Sequence, residues 1–293
     1  MLEQLDFFLP IVGEARPKDQ QDLMSYPCFS LSKRKRITPI RFSSQDKFVE
    51  IRPDPKYGMA TIWDADILLY FASYIRHNQP EIMRNVQEKG WSYPSTFEVS
   101  GYDMLKFTGR PVSKLGYDRL RSALSRLRGT AVTTNIRQGN ITQHHEFSWI
   151  SEWREYTETV TRKGKQVQQS LGFTVQLPQW FVEGVLEDTL VLSINPSYFQ
   201  LTGGYQRWLY RFVRKHCGHQ DGWKITLKRL HERSGALNDY KEFKKQIKRV
   251  VERGVPDYHL ALVQEGKTTW LHVSQRYQLF QGDYVTVLAS SPM

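Results

Sequence analysis

Cysteine is scarce in this chain. Cys28 and Cys217 are the only two among 293 residues, and neither lies in a recognisable cysteine motif. This usage excludes a disulfide scaffold and a cysteine-based zinc module. It is typical of a protein kept in a reducing compartment, and we expect a cytoplasmic location.

Long apolar runs and export signals are also lacking. The longest uncharged apolar stretch, Ile67 to Ile75, has nine residues, whereas a helix that crosses a bilayer needs about 20. Glu3 and Asp6 stand where a secretory signal carries Lys or Arg. The sequence therefore predicts neither export nor a membrane partner.

Motifs for catalysis and metal binding are missing as well. There is no Gly-x4-Gly-Lys-Ser/Thr phosphate loop, and the His-rich segments 144–146 and 216–219 do not supply a full metal-ligand set at a familiar spacing. The two histidines around one apolar residue that a rolling-circle nickase needs are absent. Asp64 and Asp66 are explained by the start of a helix, through capping and the helix dipole. We expect no enzyme, no cofactor and no metal.

Positive charge, by contrast, is in excess. Lys and Arg number 41 against 30 Asp and Glu, which gives a net charge of +11. Fourteen of these bases lie between Gly203 and Val255, seven lie between Gly101 and Arg128, and four form the run Lys33–Arg36. Such clustering favours an anionic partner, and of the two general candidates, nucleic acid and an acidic membrane surface, nucleic acid is the one expected here.

One sequence unit occurs twice. The motif Val99-Ser100-x3-Met104-x3-Thr108-Gly109 has the same spacing as Ile225-Thr226-x3-Leu230-x3-Ser234-Gly235. Each predicts a strand end, a Ser or Thr N-cap, a short helix and a Gly turn. A longer helix precedes each motif, over Asp64–Arg76 and over Tyr205–His216, and another helix follows it. The following helices carry the apolar triplets Tyr117, Leu120, Leu124 and Tyr240, Phe243, Ile247 at one spacing.

A candidate hairpin comes after each unit. The first joins Ala131–Arg137 to Gln143–Ile150, and the second joins Tyr258–Gln264 to Thr268–Ser274. Helix, strand, helix, turn, helix and hairpin is the order of a winged helix-turn-helix. We therefore predict an α+β fold with tandem winged helix-turn-helix domains and short antiparallel β-hairpin wings. The predicted division is an N-terminal tail 1–25, a first winged-helix domain with N-terminal strands 26–195, a second winged-helix domain 196–275 and a C-terminal tail 276–293.

The candidate DNA contacts lie on the sides of the third helices that face away from their apolar stripes. A recognition helix lies in the major groove and turns such side chains towards bases and phosphates. The predicted contacts are Arg119, Ser122, Ser125 and Arg126 in the first unit, Lys241, Lys245, Lys248 and Arg249 in the second, and Arg137 and Lys267 at the hairpin tips. The first set favours base reading and the lysine-rich second set favours phosphates. The run Lys33–Arg36 is either a minor-groove arm or a solubilising turn before a strand Ile37–Phe42.

Several segments in order resemble the replication initiator protein A family of bacterial plasmids. They are Phe29–Arg36 (FSLSKRKR), Tyr57–Leu68 (YGMATIWDADIL), Thr134–Arg137 (TNIR), Phe147–Ile150 (FSWI), Leu201–Gly204 (LTGG) and Arg207–Arg211 (RWLYR). More distantly, the chain is similar to iteron-binding plasmid initiators with two winged helices.

The resemblance implies a sequence-specific initiator that binds double-stranded DNA at repeats of a plasmid origin and helps to open the duplex. It also implies recruitment of the host initiator and the replicative helicase, and in the distant relatives a homodimer acts as a repressor. Two alternatives remain open. One is a winged-helix transcriptional repressor with no replication role, and the other is a scaffold whose acidic segments 152–158 and 183–188 dock a basic partner.

Overall fold

The computed structural model describes residues 17–44, 46–90, 92–137, 144–162, 164–218, 220 and 222–275. Its α-helices are α1 (Gln21–Ser25), α2 (Ala65–His77), α3 (Gln79–Lys89), α4 (Gly101–Phe107), α5 (Lys114–Gly129), α6 (Gln179–Leu186), α7 (Gly204–Cys217), α8 (Leu227–Glu232) and α9 (Tyr240–Arg253). Its strands are β1 (Lys18–Gln20), β2 (Ile40–Ser44), β3 (Lys47–Arg52), β4 (Thr96–Val99), β5 (Ala131–Thr134), β6 (His145–Ser148), β7 (Glu152–Arg162), β8 (Lys165–Gln176), β9 (Val191–Ser193), β10 (Trp223–Thr226), β11 (Tyr258–Glu265) and β12 (Thr268–Gln275). Short 3-10 helices span Asp188–Leu190 and Pro196–Gln200.

The two repeated units have the predicted local structure. The hydroxyl of Ser100 accepts a hydrogen bond from the amide of Tyr102 at the start of α4, and that of Thr226 accepts one from the amide of Arg229 at the start of α8. Gly109 and Gly235 both have φ near +65°, which a glycine adopts without steric cost. The caps therefore begin both short helices at equivalent positions, and the turn glycines follow them at equivalent positions.

The second unit also has the predicted hairpin. Strands β11 and β12 each extend one residue beyond the predicted range, and β12 pairs with β10 to give the sheet order β10-β12-β11. Helix α7, predicted over Tyr205–His216, packs its Trp208, Leu209 and Phe212 in the core. The strand before α8 thus pairs with the second strand of the hairpin after α9.

The first unit departs from the prediction in its hairpin. Residues 131–134 and 145–148 do pair, but they belong to another sheet, of order β2-β3-β5-β6. The strand β4, before α4, pairs instead with β8 in a sheet of order β4-β8-β7. The hairpin β7–β8 therefore has the place that β11–β12 has in the second unit, and the predicted assignment of 131–150 as the first wing is wrong.

The N-terminal segment is more structured than the predicted tail 1–25. Residues 17–25 include β1, which pairs antiparallel with β9, and α1, which packs against α7. Residues 1–16 and the predicted tail 276–293 lie outside the described ranges. None of the helices in those ranges has the length and the apolar character needed to span a bilayer.

Buried ion pairs join the two halves of the fold. Both Nε and Nη2 of Arg211 in α7 bind the carboxylate of Asp19, at 2.6 and 2.9 Å, and both residues are at most 2% exposed. Burial by itself lowers the pKa of Arg211, but the interaction with Asp19 outweighs burial and raises this pKa above its ordinary value. Asp66 of α2 binds Nη1 of Arg207 at 2.7 Å and Nη2 of Arg110 at 3.2 Å. The pairs and a shared hydrophobic core hold α7 against the N-terminal half.

Candidate nucleic-acid interface

Helix α9 presents a cationic face to solvent. Phe243, Ile247 and Val250 form its buried stripe. The other side of the helix exposes all four predicted DNA contacts, Lys241, Lys245, Lys248 and Arg249. Lys244 is exposed there as well, although it was not among the predicted contacts. Within the described ranges, Lys245 is the one of these cations that forms an ion pair, with Glu242, whose Oε2 lies 3.4 Å from its Nζ. Since both partners are exposed, this pair is weak, and Lys245 can leave it for a phosphate.

In α5 and in α9, a basic residue at the equivalent position forms a hydrogen bond to the hairpin that follows the helix. Nζ of Lys244 donates to Oγ1 of Thr269 in β12, at 2.9 Å. In the repeat register, Arg121 stands where Lys244 stands, and its guanidinium donates two hydrogen bonds to the carboxylate of Glu155 in β7, at 2.7 and 2.8 Å. Side-chain hydrogen bonds to Glu155 raise the pKa of Arg121. Aligning the two repeats residue by residue could have found this equivalence.

Helix α5 presents a more mixed surface. Arg119 and Ser122 are exposed and Ser125 is half-buried, while Leu120 and Leu124 point into the core. Oγ of Ser122 donates to the carbonyl of Asp118 at 2.9 Å, so this hydroxyl already has a partner in the helix. Arg119 is the cation of the predicted set on this helix that is left open to solvent.

Arg126 does not fit its predicted role as a base reader. Its Nε and Nη2 each lie 2.7 Å from an oxygen of Asp64, which is 2% exposed. Hydrogen bonding to Asp64 raises the pKa of Arg126. Asp64 also accepts hydrogen bonds from the amide and the hydroxyl of Thr61. Contrary to the prediction, its side chain makes no capping hydrogen bond at the start of α2. A groove contact would have to break a buried ion pair, so we assign Arg126 to the fold.

Arg137 is likewise turned inward, which corrects its prediction as a hairpin-tip DNA contact. Its guanidinium stacks on the ring of Trp180 at 3.7 Å, binds the carboxylate of Asp22 and donates to Oε1 of Gln20 at 2.9 Å. Residues 138–140, which follow Arg137 in the predicted hairpin, lie outside the described ranges. Lys267, at the turn between β11 and β12, is exposed as predicted.

Comparison with known proteins settles the family. The family model "Replication initiator protein A" matches residues 18–260. The chain belongs to this family. A putative replication protein of Wigglesworthia glossinidia brevipalpis is 33% identical over 241 residues, which cover 81% of this initiator and 82% of the relative. The resemblance found in the sequence is thereby confirmed.

The fold is similar to that of solved structures of RctB domains 2 and 3. A crystal structure of selenomethionine derivatives of these domains aligns with a TM-score of 0.59 at 15% identity, over 87% of the initiator and 98% of that chain. A second crystal structure of the same domains aligns with a TM-score of 0.52 at 14% identity, over 89% and 100%. At this identity the likeness concerns the fold.

Several charged residues of the family-like segments serve the fold of the initiator. Asp66, Arg137, Arg207 and Arg211 all lie in the inward contacts described above. Arg36 is 8% exposed, and its Nε and Nη1 donate to the carbonyls of Thr38 and Gly235 at 2.8 and 2.6 Å. The segments that identify the family are therefore largely distinct from the surface that faces solvent on α9.

Proposed function

We propose that this initiator binds double-stranded DNA at repeats of a plasmid origin through two winged helix-turn-helix units, with α5 and α9 as the reading helices. The observation that carries the proposal is the cationic face of α9, whose charges are exposed while its apolar side fills the core. Such a face supplies phosphate contacts, and a neighbouring hairpin with Lys267 at its tip extends them.

The equal order of strands in the two units supports the tandem arrangement. In both β4-β8-β7 and β10-β12-β11, the strand before the short helix pairs with the second strand of a hairpin. The hairpins β7–β8 and β11–β12 are the proposed wings. On this basis the units correspond to the predicted ranges 26–195 and 196–275, and residues 17–25 pack against both, with β1 against β9 and α2 and with α1 against α7.

The two winged-helix units have different roles in this proposal. The lysines of α9 position the protein on the phosphates, because an ammonium group is a compact charge without the fork that matches a guanine edge. Arg119 is the proposed base reader of α5, with Ser122 and Ser125 beside it. Origin binding in the cytoplasm then recruits the host initiator and the replicative helicase, and a homodimer is a further proposed state. No chemistry on DNA belongs to this role.

The acidic segments favour DNA binding over a scaffold role. Glu155 is bound by Arg121, Glu152 lies 2.7 Å from Nε of Arg154, and Asp188 lies 2.6 Å from Nη1 of Arg76. Three of the six acids in these segments are thus already paired within the chain, and Glu155 is the one of the three that is largely shielded from solvent. The segments therefore offer a basic partner fewer free carboxylates than their sequence indicates.

The salt dependence of DNA binding tests the proposal. In the variant Lys245→Gln/Lys248→Gln/Arg249→Gln we expect weaker binding to all duplexes and a slope of log K against log salt that is shallower by about 0.9 for each lost phosphate contact. Arg119→Gln should instead lower the preference for particular base pairs at one end of the site. If the unmodified chain fails to retain any duplex at moderate salt, DNA binding is excluded.

A plasmid assay separates initiation from repression. The gene and its upstream repeats, placed on a plasmid without another origin, should sustain replication, and the α9 variant should abolish it. Origin-specific binding without replication would instead identify a transcriptional repressor.

A further inference from the structure

A basic cleft lies beside α5. Its cavity, of about 500 Å³, is lined by Lys33, Arg34 and Lys35 on one side and by Arg119 and the start of α5 on another. Trp63 forms part of the wall, and Nζ of Lys33 stands 4.9 Å from the centre of its ring. The run whose role the sequence left open therefore shares one cleft with the proposed base reader.

The acids of this cleft are already neutralised. Asp64 and Asp66 line it, but their oxygens are bound by Arg126 and by Arg207 and Arg110. Among the described residues, by contrast, no ion pair occupies Lys33, Arg34, Lys35 or Arg119. Four cations on one cleft without compensating carboxylates give a local positive field that an anion can neutralise.

Arg36, the last residue of the run Lys33–Arg36, holds this run against the second unit. Arg36 donates to the carbonyl of Gly235, which lies in the turn between α8 and α9. Burial lowers the pKa of this guanidinium to about 10, and its other bonds go to the carbonyls of Thr38 and Pro39. The carbonyl of Arg36 also accepts from the amide of Met59 at 2.9 Å. The loop is thus held by a buried contact at its base, which is not a feature of a loose solubilising turn.

Lys35 is held close to the fold by a glycine. Gly58 has φ of +79°, and a Cβ built at this position would lie 2.7 Å from Cγ of Lys35. A larger residue there would push the lysine stem away from its present path. The direction in which the run leaves the protein surface is therefore set by its neighbours.

These contacts place the run between the two proposed reading helices. Its exposed side chains line a cleft with α5, and its buried arginine touches the turn that leads into α9. Two helices in successive major grooves lie about 10 bp apart, with a minor groove and its two phosphate rows between them. With α5 and α9 docked in this way, a cationic loop between them would lie over that region of the duplex.

We propose that Lys33, Arg34 and Lys35 bind the backbone phosphates that flank the minor groove between the two half-sites. The inference rests on the proposed function and adds a third contact region to it. The lysines and the arginine neutralise phosphates without reading bases, since the rows of phosphates are the same for every sequence.

The test uses the full chain and a duplex that contains its binding site. The variant Lys33→Gln/Arg34→Gln/Lys35→Gln should make the slope of log K against log salt shallower by about 2 to 3. Hydroxyl-radical protection at the centre of the site should be lost, while protection at both ends remains. The matched control Arg41→Gln/Lys56→Gln/Arg84→Gln removes the same charge from exposed positions on β2, in the loop after β3 and on α3, and should leave the slope and the protection unchanged.

The outcomes distinguish this inference from the proposed function. If the α9 variant flattens the slope and the loop variant does not, the loop proposal is overturned and DNA binding stands. If the unmodified chain binds no duplex, both fail. Should the loop variant bind DNA normally while inorganic phosphate raises the unfolding temperature of the unmodified chain alone, the cleft holds a free anion and the DNA assignment is overturned.

Discussion

Two arginines on α5 show how a partner distant in sequence decides what a side chain does. Arg119 is exposed, whereas Arg126, two turns further on, is bound to Asp64. A helical wheel assigns both to the outward side, because it gives the direction of a side chain and contains nothing about a carboxylate 62 positions away. The equivalent of Arg126 in the second unit, Arg249, meets no such carboxylate among the described residues and stays exposed.

Replacing these two arginines should therefore affect different properties. Arg126→Gln leaves Asp64 buried with an uncompensated charge, and we expect it to lower the free energy of unfolding by about 2 to 4 kcal/mol. Arg119→Gln should change it by no more than about 0.5 kcal/mol. Urea unfolding followed by circular dichroism measures both, and equal losses would contradict the assignment of Arg126 to the fold.

The buried pair between Asp19 and Arg211 should also be needed for the stability of the fold. Asp19→Ala leaves a guanidinium that is 2% exposed without its carboxylate, so we expect a loss of about 3 to 5 kcal/mol in unfolding free energy. Glu88→Ala, which removes an exposed carboxylate from α3, is the control. A tolerated Asp19→Ala would mean that the segment behaves as the tail that the sequence suggested.

Local patterns predict elements well and their sheet partners poorly. The caps Ser100 and Thr226 and the turn glycines were correct, because each depends on hydrogen bonds and φ angles within a few residues. The hairpin β11–β12 was correct to one residue per strand. For the first unit, β5–β6 and β7–β8 both have hairpin character, and nothing local reveals that β4 pairs with Phe173 to Gln176 and not with the nearer hairpin.

Within α7, the surroundings of His216 make stability depend on pH. Its ring stacks on Phe212 with centres 4.1 Å apart, and Nδ1 lies 2.8 Å from the carbonyl of Phe212. Burial lowers the pKa of His216, the hydrogen bond to Phe212 opposes this, and the cations Arg233 and Lys215 lower it further. The fold therefore favours the neutral ring, while the unfolded chain takes up the proton near the ordinary pKa of about 6.5.

We accordingly expect the contribution of His216 to be complete above about pH 6.5 and to fall as the pH drops from there towards the folded pKa. Unfolding temperatures measured between pH 7.5 and pH 5 should decline more in the unmodified chain than in His216→Gln. The variant His77→Gln, which changes an exposed histidine at the end of α2, is the matched control. Parallel curves for the unmodified chain and His216→Gln would refute the expectation.

At the scale of the whole molecule, the ion pairs of α7 determine how the two units can act together. Asp19, Asp66 and the run at Arg36 all connect the N-terminal half to α7 or to the turn before α9. The sequence suggested two domains because the repeated unit is visible in the chain, whereas these connections join residues far apart in sequence. The distance between α5 and α9, the proposed reading helices, is consequently set by the fold, and a flexible linker does not adjust it.

A fixed distance predicts a fixed spacing of half-sites in the DNA. Once a footprint has located the site, inserting 5 bp between its halves turns one half by about half a helical turn, and we expect the affinity to fall at least about tenfold. An insertion of 10 bp returns both half-sites to the same side of the duplex but moves them about 34 Å further apart, so a rigid initiator should lose affinity again. Gel-shift titrations on the three duplexes measure this. Recovery of affinity with 10 bp would show that the units move independently, and the buried pairs of Arg207 and Arg211 would then have to open when the protein binds DNA.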